Sequence, residues 1–281
     1  MDRRSCTFER CFVSHGESYG LVAENGDLLD LLASRVPLGW QTPAVDSPQI
    51  SARYTLLRAD GPEAPYALTI DGESLIESLN LPVVLDAFER HAELLAAERA
   101  SDSLFVHAGV VAWHGRAIVM PGASGSGKTT LVRAFLEAGA TYLSDEYARL
   151  DRDGWVHPYA RPLSIRSADR NRVSVTAADL GARSEAAPLP IGTILLTSYQ
   201  PDAIWKPRRL SAAHALVRMM AHTVAARRDP EHSMPILKAA ATQAIAVESM
   251  RPEADVVVRS VLSAPSELFR ARRTSTSCNA L

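Results

Sequence analysis

The sequence predicts an α/β protein in two parts, with the chemistry in the second. Two observations carry this. Ala117-Ile118-Val119-Met120 is a short apolar strand, and Thr130–Glu137 is a good helix, and a glycine-rich loop joins them. One helix later, Thr141-Tyr142-Leu143-Ser144 is a second strand that ends in two adjacent carboxylates, Asp145-Glu146. Strand, loop, helix and strand in that order form an α/β unit with its polar residues at one sheet edge.

Each element has its own signal along the chain. Residues 1–100 read as a smaller mixed α/β region. Asp27–Ser34 carries Leu28, Leu29, Leu31 and Leu32 behind an Asn25-Gly26 turn, which predicts a short helix. Tyr54–Leu57 and Tyr66–Ile70 read as strands, and Asp71-Gly72 is a tight-turn signal. Pro82 opens a longer helix from Val83 to about Arg99, with Val84, Leu85, Phe88, Leu94 and Leu95 on one broad face. From residue 101 the character changes. Phe105–Trp113 is apolar and β-prone, His114-Gly115 can turn, and Arg116–Met120 returns as the second strand of a hairpin. After the loop helix, Ala138-Gly139 is a stop. Tyr147–Leu150 and Trp155–Tyr159 flank Asp151-Arg152-Asp153-Gly154 as another hairpin. Ile191–Ser198 reads as a buried strand, and Ala212–Ala226, Pro235–Ala246 and Ala254–Leu262 as helices.

Composition bounds the function. The chain has 281 residues, 47% of them apolar and 22% charged, and a formal net charge of −2. Nothing global points to nucleic acid or to an anionic membrane surface. The cysteines are Cys6, Cys11 and Cys278. They are odd in number and lack metal-finger spacing, so a reducing cytoplasm is expected. The N-terminus lacks the apolar core of a signal peptide, and no run of apolar residues is long enough to span a bilayer. The tail from Arg272 is polar.

The loop is Gly122-Ala123-Ser124-Gly125-Ser126-Gly127-Lys128-Thr129, a complete G-x-x-x-x-G-K-[ST] pattern with Thr130 directly after it. Backbone N–H groups of such a loop cradle phosphate oxygens. Lys128 reaches the outer phosphates, and the Thr129 hydroxyl is placed to hold Mg²⁺. The expected ligand is ATP with Mg²⁺. Asp145 and Glu146 come one helix and one strand after Lys128. That spacing brings them to the carboxyl edge of the sheet beside the phosphates, where a carboxylate can hold the metal or take a proton from an attacking hydroxyl. His107 stands at the start of the strand pair that feeds the loop.

His107, the loop Gly122–Thr129 and the pair Asp145-Glu146 together resemble HPr kinase/phosphorylase, the bacterial protein-serine kinases related to ATP-dependent phosphoenolpyruvate carboxykinase. The likeness covers roughly Phe105 to Leu150. It implies a P-loop kinase core with a mixed sheet and flanking helices, in-line transfer of the γ-phosphoryl group of ATP to a serine of a protein or peptide, and a homo-oligomer. It casts Asp145 as the proton acceptor oriented by His107, Lys128 as the cation on the transferring phosphate, and Glu146 as support for the metal or for Asp145. Arg166 and Arg227 are candidates for a further phosphate contact. For Arg227 a cation at a helix C-terminus is an equally good reading.

The chain departs from that family in two places. Glu146 replaces the family's second Asp, and Leu163-Ser164-Ile165-Arg166-Ser167 stands where the family carries Glu-Ile-Arg-Gly. Arg166 is kept, while the acid and glycines are not. The difference points to a one-way kinase. The chain is more similar to divergent relatives such as lasso-peptide tailoring kinases, which phosphorylate a peptide's terminal serine. A small-molecule kinase would use the same residues. A nucleotide switch or ATPase carries its acid on a more distant strand, and Ile191–Ser198 ends without one. An ABC-type ATPase needs an L-S-G-G-Q stretch that the sequence lacks. A degenerate binder without turnover is disfavoured by the intact Lys128, Thr129 and Asp145.

Overall fold

The computed structural model describes residues 7–44, 49–58, 61, 64–166 and 172–263, the side chains of 166 and 172 excepted. Cys6, Cys278 and the tail from Arg272 lie outside them. The protein is mixed α/β and divides into two compact units, residues 1–102 and 103–281.

The first unit is a five-stranded sheet in spatial order β1 (Phe8–Ser14), β2 (Glu17–Ala23), β3 (Ala52–Arg58), β4 (Tyr66–Ile70) and β5 (Glu73–Ser78). β2 and β3 are parallel and the other neighbours antiparallel. Helices α1 (Gly26–Ala33) and α2 (Leu81–Arg99) supply Leu28, Leu32, Val84 and Phe88 to a core with Tyr19, Tyr54 and Leu56. Asn25 is the N-cap of α1, its side chain accepting from Leu28 N at 2.9 Å. Pro82 sits in the first turn of α2, where a missing N–H costs nothing. β1, β2 and β5 went unread in the sequence.

The second unit is one large mixed sheet between two helical layers. Its central strands are β6 (Leu104–Trp113), β7 (Arg116–Pro121), β13 (Leu189–Tyr199) and β15 (Ile245–Arg251). β6 and β7 form the expected hairpin, turning at His114 (φ 49°) and Gly115 (φ 72°). β7, β13 and β15 are parallel. On the other side β6 pairs antiparallel with β8 (Thr141–Ser144) and with β9 (Tyr147–Leu150). β8 therefore runs in the same direction as β7, one strand away. β10 (Trp155–His157) pairs with both β9 and β13, and the short β14 (Arg208–Leu210) borders β15. β11 (Leu163–Arg166) and β12 (Arg172–Val175) make a separate two-stranded ribbon.

One face of the sheet is covered by α3 (Lys128–Glu137) and α6 (Ala254–Ser263), through Leu131, Val132, Phe135, Val257 and Val261. The other is covered by α4 (Ala212–Met220) and α5 (Pro230–Gln243), through Ala215, Met219, Ile236 and Leu237. Gly109 on β6 allows α3 to close on the sheet, since a Cβ there would stand 2.6 Å from Val132 Cγ2.

Several expected boundaries are corrected. The helix read over Ala212–Ala226 stops at Met220, and the chain then runs through turns and bends, with Thr223 bridging to Val106 of β6. There the Thr223 hydroxyl donates to the Met219 carbonyl at 2.9 Å, and Val224 N donates to Phe105 O at 3.0 Å. The helix read from Pro235 begins at Pro230, capped by Asp229, and ends at Gln243. Strand β15 then starts at Ile245, so the residues read as the end of that helix open a strand instead. The strand read to Tyr159 ends at His157.

Candidate functional site

The carboxyl ends of the central strands and the N-terminus of α3 converge on the glycine-rich loop. β7 delivers Pro121 to the edge, and the chain then turns through residues 122–127 into α3. Ser126 N donates to Ala123 O at 3.1 Å, and Leu131 N closes the first helical turn on Gly127 O at 3.1 Å. Gly125 (φ 81°) and Gly127 (φ 88°) are both left-handed, a conformation that strains any other residue. A helix N-terminus behind a run of such turns presents backbone N–H groups to an anion.

Lys128 is the first residue of α3 and is buried. Its Nζ donates to the carbonyls of Gly122 (3.0 Å) and Ala123 (3.1 Å). Burial lowers its proton affinity, and Glu146 and Asp145 act the other way; the net direction is down. Thr129 Oγ1 donates to Asp145 Oδ2 at 2.8 Å.

Ser144 presents the acid pair. It is fully buried at the end of β8, and its Oγ accepts from the backbone N–H of Glu146 (3.3 Å) and Tyr147 (3.1 Å). The chain bends there, and the two carboxylates diverge. Asp145 turns towards α3 and Thr129. Glu146 turns towards β6, where its Oε1 lies 3.2 Å from His107 Nε2, within ion-pair distance but out of line for a hydrogen bond. The orienting contact expected between His107 and Asp145 thus falls on Glu146. Successive side chains of a bent strand end cannot both face the same neighbour.

Asp145 is only 8% exposed. Burial is the main reason its carboxyl is pushed up to about 6; Glu146 adds to this, while Thr129, Lys128 and His107 pull the other way. Its Oδ1 is buried with no hydrogen-bond partner. For Glu146, burial pushes up but the proximity of His107, Lys128 and Arg161 outweighs it, and the carboxyl sits below its ordinary value. Two adjacent carboxyls thus have opposite shifts, the pattern by which paired acids acquire different roles.

Among the described residues, no three His, Cys, Asp or Glu side chains gather to hold a metal by themselves. The Thr129 hydroxyl and the Asp145 carboxylate with its orphaned oxygen nevertheless suit a small hard cation that completes its shell with ligand oxygens and water. Mg²⁺ is commonly held that way, on one or two carboxylates and a phosphate.

Two cavities flank the loop. The smaller, 370 Å³, is lined by Gly125, Gly127–Thr130, Arg133, the acid pair, Ser164 and Ile165. It gathers the loop residues Ser124, Lys128, Thr129 and Thr130 with both carboxylates. The larger, 830 Å³, opens between the start of the loop and the ends of β13 and β15. Lys206, Arg208 and Arg218 line it against one carboxylate, Glu248, which pairs with both arginines. His222 lines it too, next to His107: His107 N donates to His222 O at 2.7 Å. Burial, then His107, Lys128 and Arg218, lower the His222 imidazole.

The arginine candidates fare differently. Arg166 is on β11, next to the smaller cavity's Ile165, but its side chain lies outside the described residues. Arg227 is exposed in the turns after α4 and lines neither cavity; since α4 ends at Met220, it is no helix C-terminal cation either. An arginine that does reach the loop is one the sequence reading missed, Arg251 at the end of β15, whose Nη2 donates to Gly127 O at 3.3 Å. Lys206, Arg218, His222 and Glu248 were missed with it.

No protein-family model matches the chain, and comparison with curated proteins gives no match.

Proposed function

We propose that the chain is a P-loop kinase of the HPr-kinase type, transferring the γ-phosphoryl group of ATP to a serine hydroxyl of a protein or peptide. The observation that carries this reading is Asp145: a buried carboxyl near neutrality, one oxygen fixed by Thr129 and the other unpartnered, in the same cavity as Lys128 and the loop glycines.

On this reading each residue has its own role. Loop amides and Lys128 bind the phosphates and offset the charge that develops on the transferring group. Thr129 and Asp145, with Glu146 nearby, would hold a Mg²⁺ ion, which would further neutralise the phosphate oxygens. Asp145, through the oxygen it does not give to the metal, accepts the proton of the acceptor hydroxyl; with no metal bound its carboxyl, pushed up to about 6, is ionised at pH 7. His107 keeps Glu146 charged and fixed in place rather than touching Asp145. The open 830 Å³ cavity beside the loop has room for part of a peptide chain.

The test is incubation of the full chain with γ-labelled ATP, Mg²⁺ and serine-containing peptides, read by mass spectrometry. Phosphoserine that disappears in Lys128→Ala and Asp145→Asn is the expected result. Free phosphate with every acceptor would mean an ATPase, and full transfer by Asp145→Asn would remove Asp145 from the role of base.

A further inference from the structure

Arg251 is 124 residues from Gly127 in the chain and in contact with it in the fold. It is only 2% exposed. Nη2 donates to the Gly127 carbonyl, Nη1 donates to the Pro252 carbonyl at 3.1 Å, and the guanidinium lies over the Tyr199 ring, 5.0 Å from its centroid. Nε is buried without a hydrogen-bond partner. Among the described residues no carboxylate stands within ion-pair distance of it; the nearby Glu253 instead accepts from the Tyr199 hydroxyl at 2.8 Å. The guanidinium also fills the space beside Gly127, where a Cβ would collide with Nη2.

A buried charge with no counter-ion is expensive, and a neutral side chain would fill the same space at lower cost. The contact is to a carbonyl. Arg251 lines neither of the cavities beside the loop, so its guanidinium stands outside the phosphate site.

We infer that Arg251 is a positioning residue for the phosphate loop, holding the Gly127 corner in its left-handed conformation and placing a fixed positive charge behind the loop amides, with a bound polyphosphate as its missing counter-ion. The inference rests on reading the loop as a nucleotide site. It extends that reading to the end of β15, the strand that borders the larger cavity.

The experiment uses the full chain as wild type, Arg251→Lys, Arg251→Met and Lys128→Ala. Titration calorimetry measures ADP with Mg²⁺, and pyrophosphate with Mg²⁺, at low and high salt; thermal melts measure the ligand-free proteins. Arg251→Met should bind both ligands about tenfold more weakly or worse. Arg251→Lys should recover part of the loss, because it keeps the charge. Ligand-free Arg251→Met should melt at or above wild type, and its KM for ATP should rise more than its kcat falls. Binding by Arg251→Met as tight as wild type, while Lys128→Ala loses it, overturns the inference and leaves the nucleotide reading standing. A lower ligand-free melting temperature in Arg251→Met, with Arg251→Lys binding no better than Arg251→Met, makes the arginine a packing element and also overturns it. Wild type that binds neither ligand overturns the nucleotide reading, and the inference with it.

Discussion

Asp145→Asn should make the metal-free, nucleotide-free protein more stable. Burial holds the Asp145 carboxyl at about 6 against an ordinary 3.8. A shift of that size corresponds to about 3 kcal/mol in favour of the protonated form. The sign depends on which state binds the proton. Well below pH 3.8 the carboxyl is protonated folded and unfolded, and it contributes no difference. Between pH 3.8 and about 6 the unfolded chain has ionised while the buried carboxyl still holds its proton, so stability falls across that window and stays lost at higher pH, where the folded protein must bury the charge. An amide escapes this. Its oxygen can keep the Thr129 hydroxyl bond, now 2.8 Å. Its nitrogen would stand where Oδ1 has no partner, a cost of about 1–2 kcal/mol. The net is a gain of about 1–2 kcal/mol at pH 8, or roughly 2–6 °C in a unit of this size. Circular-dichroism melts in EDTA at pH 8 and pH 4.5 measure it. The gain should appear at pH 8 and vanish or reverse at pH 4.5. A variant that melts no higher than wild type at pH 8, with the same difference at pH 4.5, refutes the claim that a buried charge strains this site.

Lys128→Ala should abolish the rise in melting temperature that ADP and Mg²⁺ give wild type, without unfolding the chain. His107→Ala removes a neighbour that pulls both carboxyls of the acid pair down, so the Asp145 carboxyl rises and the acid limb of the pH–rate profile moves to higher pH, with kcat about tenfold lower or more. An unmoved limb would detach His107 from the acid pair. Gly109→Leu drives a side chain into Val132 on α3 and should cost about 1–3 kcal/mol in urea unfolding. It should weaken ADP as well, since α3 begins with Lys128.

The part of the site legible in the sequence is the part that is local there. Strand β7, the loop, α3 and the acids after β8 lie close together in the chain, and each carries its own signal: apolar run, glycines at left-handed positions, helix formers, paired carboxylates. Strand β15 had no such protection. Ala239-Ala240-Ala241-Thr242-Gln243 is strongly helix-forming, and Ile245-Ala246-Val247 continues it without a glycine or proline to mark the change. Ile245 and Val247, β-branched and alternating, were the available clue. With the strand went Arg251 and Glu248, whose partners lie far away in the chain. The start of α5 was better marked than it was read. Asp229-Pro230-Glu231 is a cap with proline next to it at the first helical position, and the Asp229 carboxylate accepts from His232 N at 2.9 Å. The direction in which Asp145 and Glu146 part depends on a bend held by Ser144's two backbone contacts and by Ala108 N donating to Glu146 O at 3.1 Å, which no residue pattern announces.

Lys128 holds two of the loop's own carbonyls. An ammonium has three donors, so one remains for a newcomer. The rotational freedom of this long side chain, about 1.5–2 kcal/mol, is therefore given up when the protein folds and not when a ligand arrives. Anything that takes up the third donor thus meets an ammonium already ordered by the fold.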